Sequence, residues 1–411
     1  MDKRKRRRIV IILAVVLLIA VILIAVILVH GQHDSKPVAS DPASLDTQSA
    51  QLYSTLTNGS DTISLDSGTL AVKNVVVTGL TNTTISGASD GTVIKSSDDA
   101  QAANWDIALQ LDSCDGLVLE NLTFDGNKEH VAGDDQQGVV NLTISNSKNV
   151  IIRNCTFKNN YSLNIVLKGC DTVTVQNCTF LDSDCGVITM GEPTSNLVVD
   201  SNYFDGSDMS EPVSIYGSKA GWNKNITITN NVIKNHTRGS GILLRAADGV
   251  LVQNNTISNC SGGISCETVK YLLTEYNVRN VRILDNTISD CSTGMSFQNT
   301  EDAVVTGNSI SSSKEFGVGF YGFSDSDFSS NQITDSNTHG NTEDSAFSIY
   351  LKSATDSTFS NNVFGSSNYL LCHFRLIDSK KNTFENNSKT DSWPMFYGDQ
   401  GNSNNFNGND S

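Results

Sequence analysis

Ile151-Ile-Arg-Asn154-Cys-Thr-Phe157 and Thr174-Val-Gln-Asn177-Cys-Thr-Phe180 are one phrase written twice. It extends in both directions. Upstream stands Val118-Leu-Glu-Asn121-Leu-Thr-Phe124, and downstream Val198-Val-Asp-Ser-Asn202-Tyr-Phe204, Thr227-Ile-Thr-Asn230-Asn-Val-Ile233 and Leu251-Val-Gln-Asn254-Asn-Thr-Ile257. Further copies close at Ile288, Ile310, Ile333 and Phe364, with spacings between closing residues of 33, 23, 24, 29, 24, 31, 22, 23 and 31. The base period is therefore 22–24 residues, with surplus residues in some copies. A second phrase interleaves with the first: Gly241-Ile-Leu-Leu244, Gly263-Ile-Ser-Cys266, Gly294-Met-Ser-Phe297 and Gly317-Val-Gly-Phe320.

Each period holds short strands of alternating apolar residues, punctuated by Gly, Asn and Ser. A lone strand cannot bury its apolar face, whereas coils stacked on one another bury a continuous core. Coils about 4.8 Å apart set identical residues directly above each other. Recurrent Asn then forms a side-chain ladder along the stack, which accounts for 43 Asn in 411 residues. The chain resembles the right-handed parallel β-helix repeat proteins of the pectin-lyase-like superfamily over about residues 60–390. The resemblance implies an all-β, right-handed single-stranded parallel β-helix solenoid of about 11–12 coils. A leucine-rich horseshoe lacks its Leu frame here, and a propeller needs repeats of about 40 residues.

The amino terminus reads differently. Lys3, Arg4, Lys5, Arg6, Arg7 and Arg8 precede an uninterrupted apolar run from Ile9 to Val29. Such a run matches a hydrocarbon core of about 30 Å, and the basic block is expected on the cytoplasmic side. A cleaved leader would have a shorter apolar core and small residues at a cleavage site, which Val29-His30-Gly31-Gln32-His33 does not offer. The expected organisation is a cytoplasmic basic tail (1–8), a single transmembrane signal-anchor helix (9–30), a linker (31–44), a capped β-helix domain (45–400) outside the membrane, and a loose tail (401–411). Leu45, Leu52, Tyr53 and Leu56 suit a helix capping one end, and Trp393, Met395, Phe396 and Tyr397 suit closure of the other. The chain carries a net charge of −16, and about −21 beyond residue 30, which argues against nucleic-acid binding.

Aligning the Gly-Ile-x-Leu strands assigns inward pairs: Leu109/Leu111, Leu142/Ile144, Ile165/Leu167, Ile188/Met190, Ile242/Leu244, Met295/Phe297 and Ile349/Leu351. Residues between and after them point outward. The outward columns contain Lys168, Gly191, Tyr216, Arg245, Glu267, Gln298, Tyr321 and Lys352, and beside them Thr189, Ser214, Tyr350 and Arg375. In family members that act on polysaccharides, this sheet lines the substrate groove. Surplus segments such as Asp125–Gly138, Asp205–Pro212 and Thr268–Asn280 flank the same strands and would wall it. The ligand-groove candidates are thus Lys168, Tyr216, Arg245, Glu267, Gln298, Tyr321, Tyr350, Lys352 and Arg375.

Lys168, Arg245 and Glu267 are the candidates for catalysis. A polysaccharide lyase would need a cation to neutralise a uronate carboxylate and a base of depressed pKa to take the adjacent proton. The plainer reading is solvated charge, with Arg245 and Glu267 paired one coil apart. A glycoside hydrolase needs two carboxyl groups about 5–9.5 Å apart, and Glu192 and Glu267 lie roughly 14 Å apart at three coil spacings. The ordered polygalacturonase signatures are missing; Asp134-Asp135 stands without its companions. No cofactor is implied, although Glu192, Asp208 and Glu211 are calcium candidates as oxygen donors. No His/Cys spacing suits zinc.

Cys155 and Cys178, like Cys260 and Cys291, occupy equivalent places in successive coils, as stacked buried thiols would. An inter-coil disulfide remains open. Asn-x-Ser/Thr matches such as Asn121-Leu-Thr and Asn154-Cys-Thr coincide with the repeat, so the ladder accounts for them better than glycosylation. With no complete catalytic constellation, the expected function is recognition of carbohydrate or a cell-envelope polymer along the groove of a membrane-anchored protein. The alternative is a polysaccharide lyase or another carbohydrate-active enzyme on acidic polysaccharide.

Overall fold

The computed structural model describes residues 39–131, 139–206, 211–217, 220–271, 274–338, 346–365, 367, 370–398 and 403–410. The expected tail and membrane helix over residues 1–30 lie outside them, and among the described residues no helix is long and apolar enough to cross a membrane.

From Ser40 onward the chain is one solenoid. Strands from successive coils pair in parallel and in register, so like sits on like. Phe157 pairs with Phe124 on one side and Phe180 on the other, and Phe180 with Phe204. Their rings stack at 4.9, 5.0 and 4.5 Å inside the tube, each at most 2% exposed. Stacked rings at the coil spacing bury large apolar area and add about 0.5–1.5 kcal/mol per pair beyond it. One inward column runs unbroken from Ile63 to Phe406 through fourteen described rungs. That exceeds the eleven or twelve expected.

Asparagine has two separate jobs. Asn121, Asn154, Asn177, Asn230, Asn254, Asn361 and Asn386 hold φ between +52° and +57°, the left-handed corner that Asn tolerates better than most residues. The ladder runs through the following position instead. Asn202, Asn231, Asn255, Asn286, Asn308, Asn331, Asn362 and Asn387 are buried. Each donates its backbone N–H and its Nδ2 to the side-chain oxygen of the next coil's Asn at 2.8–3.2 Å. Upstream the same column is filled by Leu122, Cys155 and Cys178. All nine cysteines are free and buried, and burial pushes the Cys170 thiol up to about 11 and Cys372 up to about 12.

The ends depart from expectation. The helix Thr47–Leu56, capped by Asp46 accepting from Gln48 N and Ser49 N, covers the first coils with Leu52 and Leu56. The solenoid takes hold earlier than the expected linker boundary at 44: Ser40 N donates to Val76 O at 2.9 Å and Ser40 Oγ to Asn74 O at 3.0 Å. Nor do residues 403–410 hang loose. Asn405–Asn407 pairs with Thr383–Glu385, Phe406 stacks on Phe384 at 5.0 Å, and Asn409 ends the ladder. Close by, His373 is fully buried, with Nδ1 3.0 Å from Ser348 Oγ and Nε2 2.9 Å from Asp391 Oδ1. This network clamps the segment around Trp393 over the core.

Candidate functional site

The candidate face is the stack of strands that includes Val140–Ser145, Val213–Tyr216, Ser240–Arg245, Gly262–Glu267 and Cys372–Ile377. Each strand enters through a corner that turns two successive residues inward. A Cβ on Gly241, Gly263, Gly294 or Gly317 would lie 2.4–2.6 Å from an Ile Cγ2 of the core. The residue before the corner therefore points out, and alternation follows after it.

Gly186 is such a corner, since its Cβ would meet the Phe204 ring at 2.5 Å. Val187 pairs with Ile165 and Val213, and Thr189 with Leu167 and Ile215. The inward pair on this coil is thus Val187/Thr189, not Ile188/Met190. The outward columns hold Ile188 and Met190 where Thr189 and Gly191 were expected. The other expected inward pairs are buried at 0% exposure.

This correction changes the chemistry around Lys168. Val166, Ile188, Val140 and Cys185 form an apolar patch outside the main core, with Leu163, Met190, Ile107 and Tyr216 packed against it. Lys168 stands beside it, and burial pulls its ammonium below the ordinary lysine value. Among the described residues it makes no ion pair.

Three rungs further stands Arg245, roughly 14 Å away at the coil spacing. Its Nε donates to Glu267 Oε2 at 2.8 Å, Nη2 closes on the same oxygen, and the guanidinium lies 4.9 Å from the centre of the Tyr216 ring. Burial works against the Arg245 charge, but Glu267 more than offsets it and holds the guanidinium above its ordinary value. A hairpin of Val269–Tyr271 and Thr274–Tyr276 forms a wall here. Tyr271 Oη donates to Gly217 O at 2.6 Å, and Trp222 Nε1 to Asn277 O at 3.0 Å. Burial, with Tyr216 nearby, pushes the Tyr271 phenol up to about 12.

Gln298, Tyr321 and Lys352 continue the column in register. Tyr350 and Arg375 stand in the adjacent column, which Tyr397 extends. Tyr321 and Tyr350 lie 5.4 Å apart, Phe316 and Phe347 are 5.9 and 6.3 Å from Tyr350, and Arg375 sits 4.7 Å over the Tyr397 ring. Gly319 makes room for them, because a Cβ there would meet Phe316 at 2.7 Å and Tyr321 at 3.0 Å. Tyr321 is 38% and Tyr397 57% exposed, so ring faces are open to a ligand. Neither Lys352 nor Arg375 has a carboxylate partner among the described residues. Phe316 and Phe347 escaped the sequence reading, although each directly precedes a corner residue, Gly317 or Ser348, and so must face out.

Glu192 is exposed and Glu211 half-buried, while Asp208 lies outside the described residues. No three metal-ligating side chains converge among the described residues.

A stacked solenoid with an outer face of this kind defines a class, and sequence comparison agrees. The model of the right handed beta helix region matches residues 47–204, 165–333 and 271–410. The chain belongs to this family of right-handed parallel β-helix proteins. Solved structures share the fold. The mannuronan C-5 epimerase AlgE6 A-module of Azotobacter vinelandii aligns over 90% of this chain and 95% of its own, with 15% identity and a TM-score of 0.58. The surface adhesin PfbA of Streptococcus pneumoniae aligns over 82% and 87%, with 17% identity and a TM-score of 0.57. A Family 28 exopolygalacturonase of Yersinia enterocolitica aligns over 78% and 72%, with 11% identity and a TM-score of 0.53. A search of curated protein sequences finds no match.

Proposed function

We propose that the chain binds a polysaccharide or cell-envelope glycan along this outer face without turning it over. The observation that carries the reading is the platform of exposed Tyr321 and Tyr397 with half-buried Tyr350, and with Arg375 and Lys352 beside it. Sugar rings present apolar C–H faces to aromatic rings and hydroxyls or carboxylates to Arg and Lys. The fold-level likeness to an epimerase acting on mannuronan, an exopolygalacturonase and a surface adhesin is consistent with a glycan ligand. The basic block and apolar run of residues 3–29 would tether the solenoid outside a membrane, facing such polymers.

The polysaccharide-lyase alternative draws on one observation, the depressed ammonium of Lys168. Against it, Arg245 is engaged by Glu267, and three rungs separate it from Lys168. The purified full-length chain, applied to a glycan array and to uronate polymers, tests both. Retention of a glycan with no rise in ultraviolet absorbance from new double bonds is expected. Product formation abolished by Lys168→Ala or Arg245→Ala would refute binding without turnover.

A further inference from the structure

The left-handed corner column carries a second possibility that is independent of the groove. Asn121-Leu-Thr123, Asn154-Cys-Thr156, Asn177-Cys-Thr179, Asn254-Asn-Thr256 and Asn386-Asn-Ser388 are acceptor triplets for N-linked sugar on this corner. The ladder does not explain them, because it runs through the middle residue of the Asn254 triplet and leaves the flanking Asn free. In all five triplets the middle residue is buried, while the Asn is exposed and makes no side-chain hydrogen bond among the described residues. The middle side chain turns into the core, and the Asn before it and the hydroxyl residue after it both lie outside the core.

We infer that this corner is an N-glycosylation site, with Asn254 and Asn386 its principal acceptors. Asn121, Asn154 and Asn177 sit on successive coils about 4.8 Å apart, where neighbouring sugars would collide. Asn254 has room, since its column neighbours Asn230 and Asp285 head no such triplet, and Asn386 has the same room between Asn361 and Gly408. Of the triplets away from this corner, two are closed outright by burial. Asn141 is fully buried with Nδ2 donating to Asn164 Oδ1 at 2.8 Å, and Asn160 is 1% exposed with Nδ2 donating to Val139 O at 3.1 Å. In the transfer, Asn254 Nδ2 bonds to the anomeric carbon of a sugar carried on a lipid phosphate. The carbon–oxygen bond to phosphate breaks, phosphate leaves with the electron pair, and the nitrogen gives one proton to the transferase. The donor is met outside the membrane, the side the amino terminus predicts for the solenoid. Bulky polar sugar on this corner would shield it from other surfaces.

The test is glycopeptide mapping of the full chain purified from the cells that naturally express it. The expected result is sugar mass on the peptides holding Asn254 and Asn386 and none on those holding Asn141 or Asn160. Thr256→Ala, which leaves the corner Asn in place, removes the Asn254 addition alone with the melting curve otherwise cooperative. A bare Asn254 or Asn386, sugar on Asn141 or Asn160, or sugar only on Ser or Thr overturns the inference.

Discussion

Asn254 and Asn255 are neighbours with nearly opposite roles, and replacing each by Ala separates them. The Asn255 side chain makes five hydrogen bonds. Nδ2 donates to Ile228 O at 2.9 Å, Gln253 O at 3.2 Å and Asn286 Oδ1 at 3.0 Å, and Oδ1 accepts from Asn231 N at 3.0 Å and Asn231 Nδ2 at 2.9 Å. Asn255→Ala removes all five and strands the Asn231 donors inside the stack. The two Nδ2 hydrogens are shared among three acceptors, so the loss amounts to four bonds, about 4 kcal/mol at about 1 kcal/mol net for each. Asn254 gives up no side-chain bond, only the preference of Asn over Ala for φ +56°, a cost of about 1 kcal/mol. Hydrogen exchange of peptides spanning the coils around Ile228 and Ile283 is the assay, because a solenoid can open locally and a single melting midpoint would average over coils. Asn255→Ala should raise exchange there more than a hundredfold, and Asn254→Ala by about tenfold or less. Equal effects, or a larger one at Asn254, would refute the division of labour between corner and ladder.

Tyr397→Ala, at a ring 57% exposed, should weaken glycan retention about threefold to tenfold, the loss of one stacking contact, with thermal melting nearly unchanged; unchanged retention would remove the platform from the binding face. Glu267→Gln should loosen Arg245 and alter glycan selectivity between neutral and acidic polymers, read on the same array. His373 is held below its ordinary value of 6.5 by burial, partly countered by Asp391. The folded state therefore resists the proton more than the unfolded chain does. Stability should be full above about pH 6.5 and decline as the pH falls toward the depressed folded value. Melting from pH 7.5 to 5 should show this fall, and His373→Gln should reduce it. The nine buried thiols should stay unreactive toward iodoacetamide until denaturant is added.

The strand stack was legible because its period is written in large residues: Phe124, Phe157, Phe180 and Phe204 have to coincide once coils superimpose. What alternation could not resolve was phase. In Val187-Ile-Thr-Met190 either pair could face the core, and only the Gly186 corner, pressed on the Phe204 ring, chooses Val187 and Thr189. The ladder was displaced by one position for a related reason. Asn254-Asn255 offers two identical side chains, and the left-handed backbone of the first fixes which one turns inward. The last coil was hidden by composition. Asn- and Gly-rich residues after 400 read as loose chain, yet Asn404 and Asn409 repeat turn positions already used upstream. On the site, the column carrying Tyr216, Arg245, Glu267 and Tyr321 could be read from alignment, whereas the apolar surroundings of Lys168 depended on the phase at Gly186.

Parallel stacking also supports the proposal of binding without turnover. A column presents one side chain per coil, about 4.8 Å from the next. Acid–base chemistry needs two or more groups within hydrogen-bond reach of the same atoms. Two adjacent coils can supply that only if their side chains converge and stay unpaired. Arg245 and Glu267 do converge, but onto each other, and so each satisfies the group that would otherwise act on a substrate. Lys168 keeps a depressed ammonium but has Met190 and Tyr216 as its next neighbours along the column. Downstream, Tyr321, Tyr350, Arg375 and Tyr397 spread contacts across four coils, each adding a modest increment to an extended ligand. A linear polymer gains from such repetition, because each further unit engages an already ordered surface at no additional translational cost.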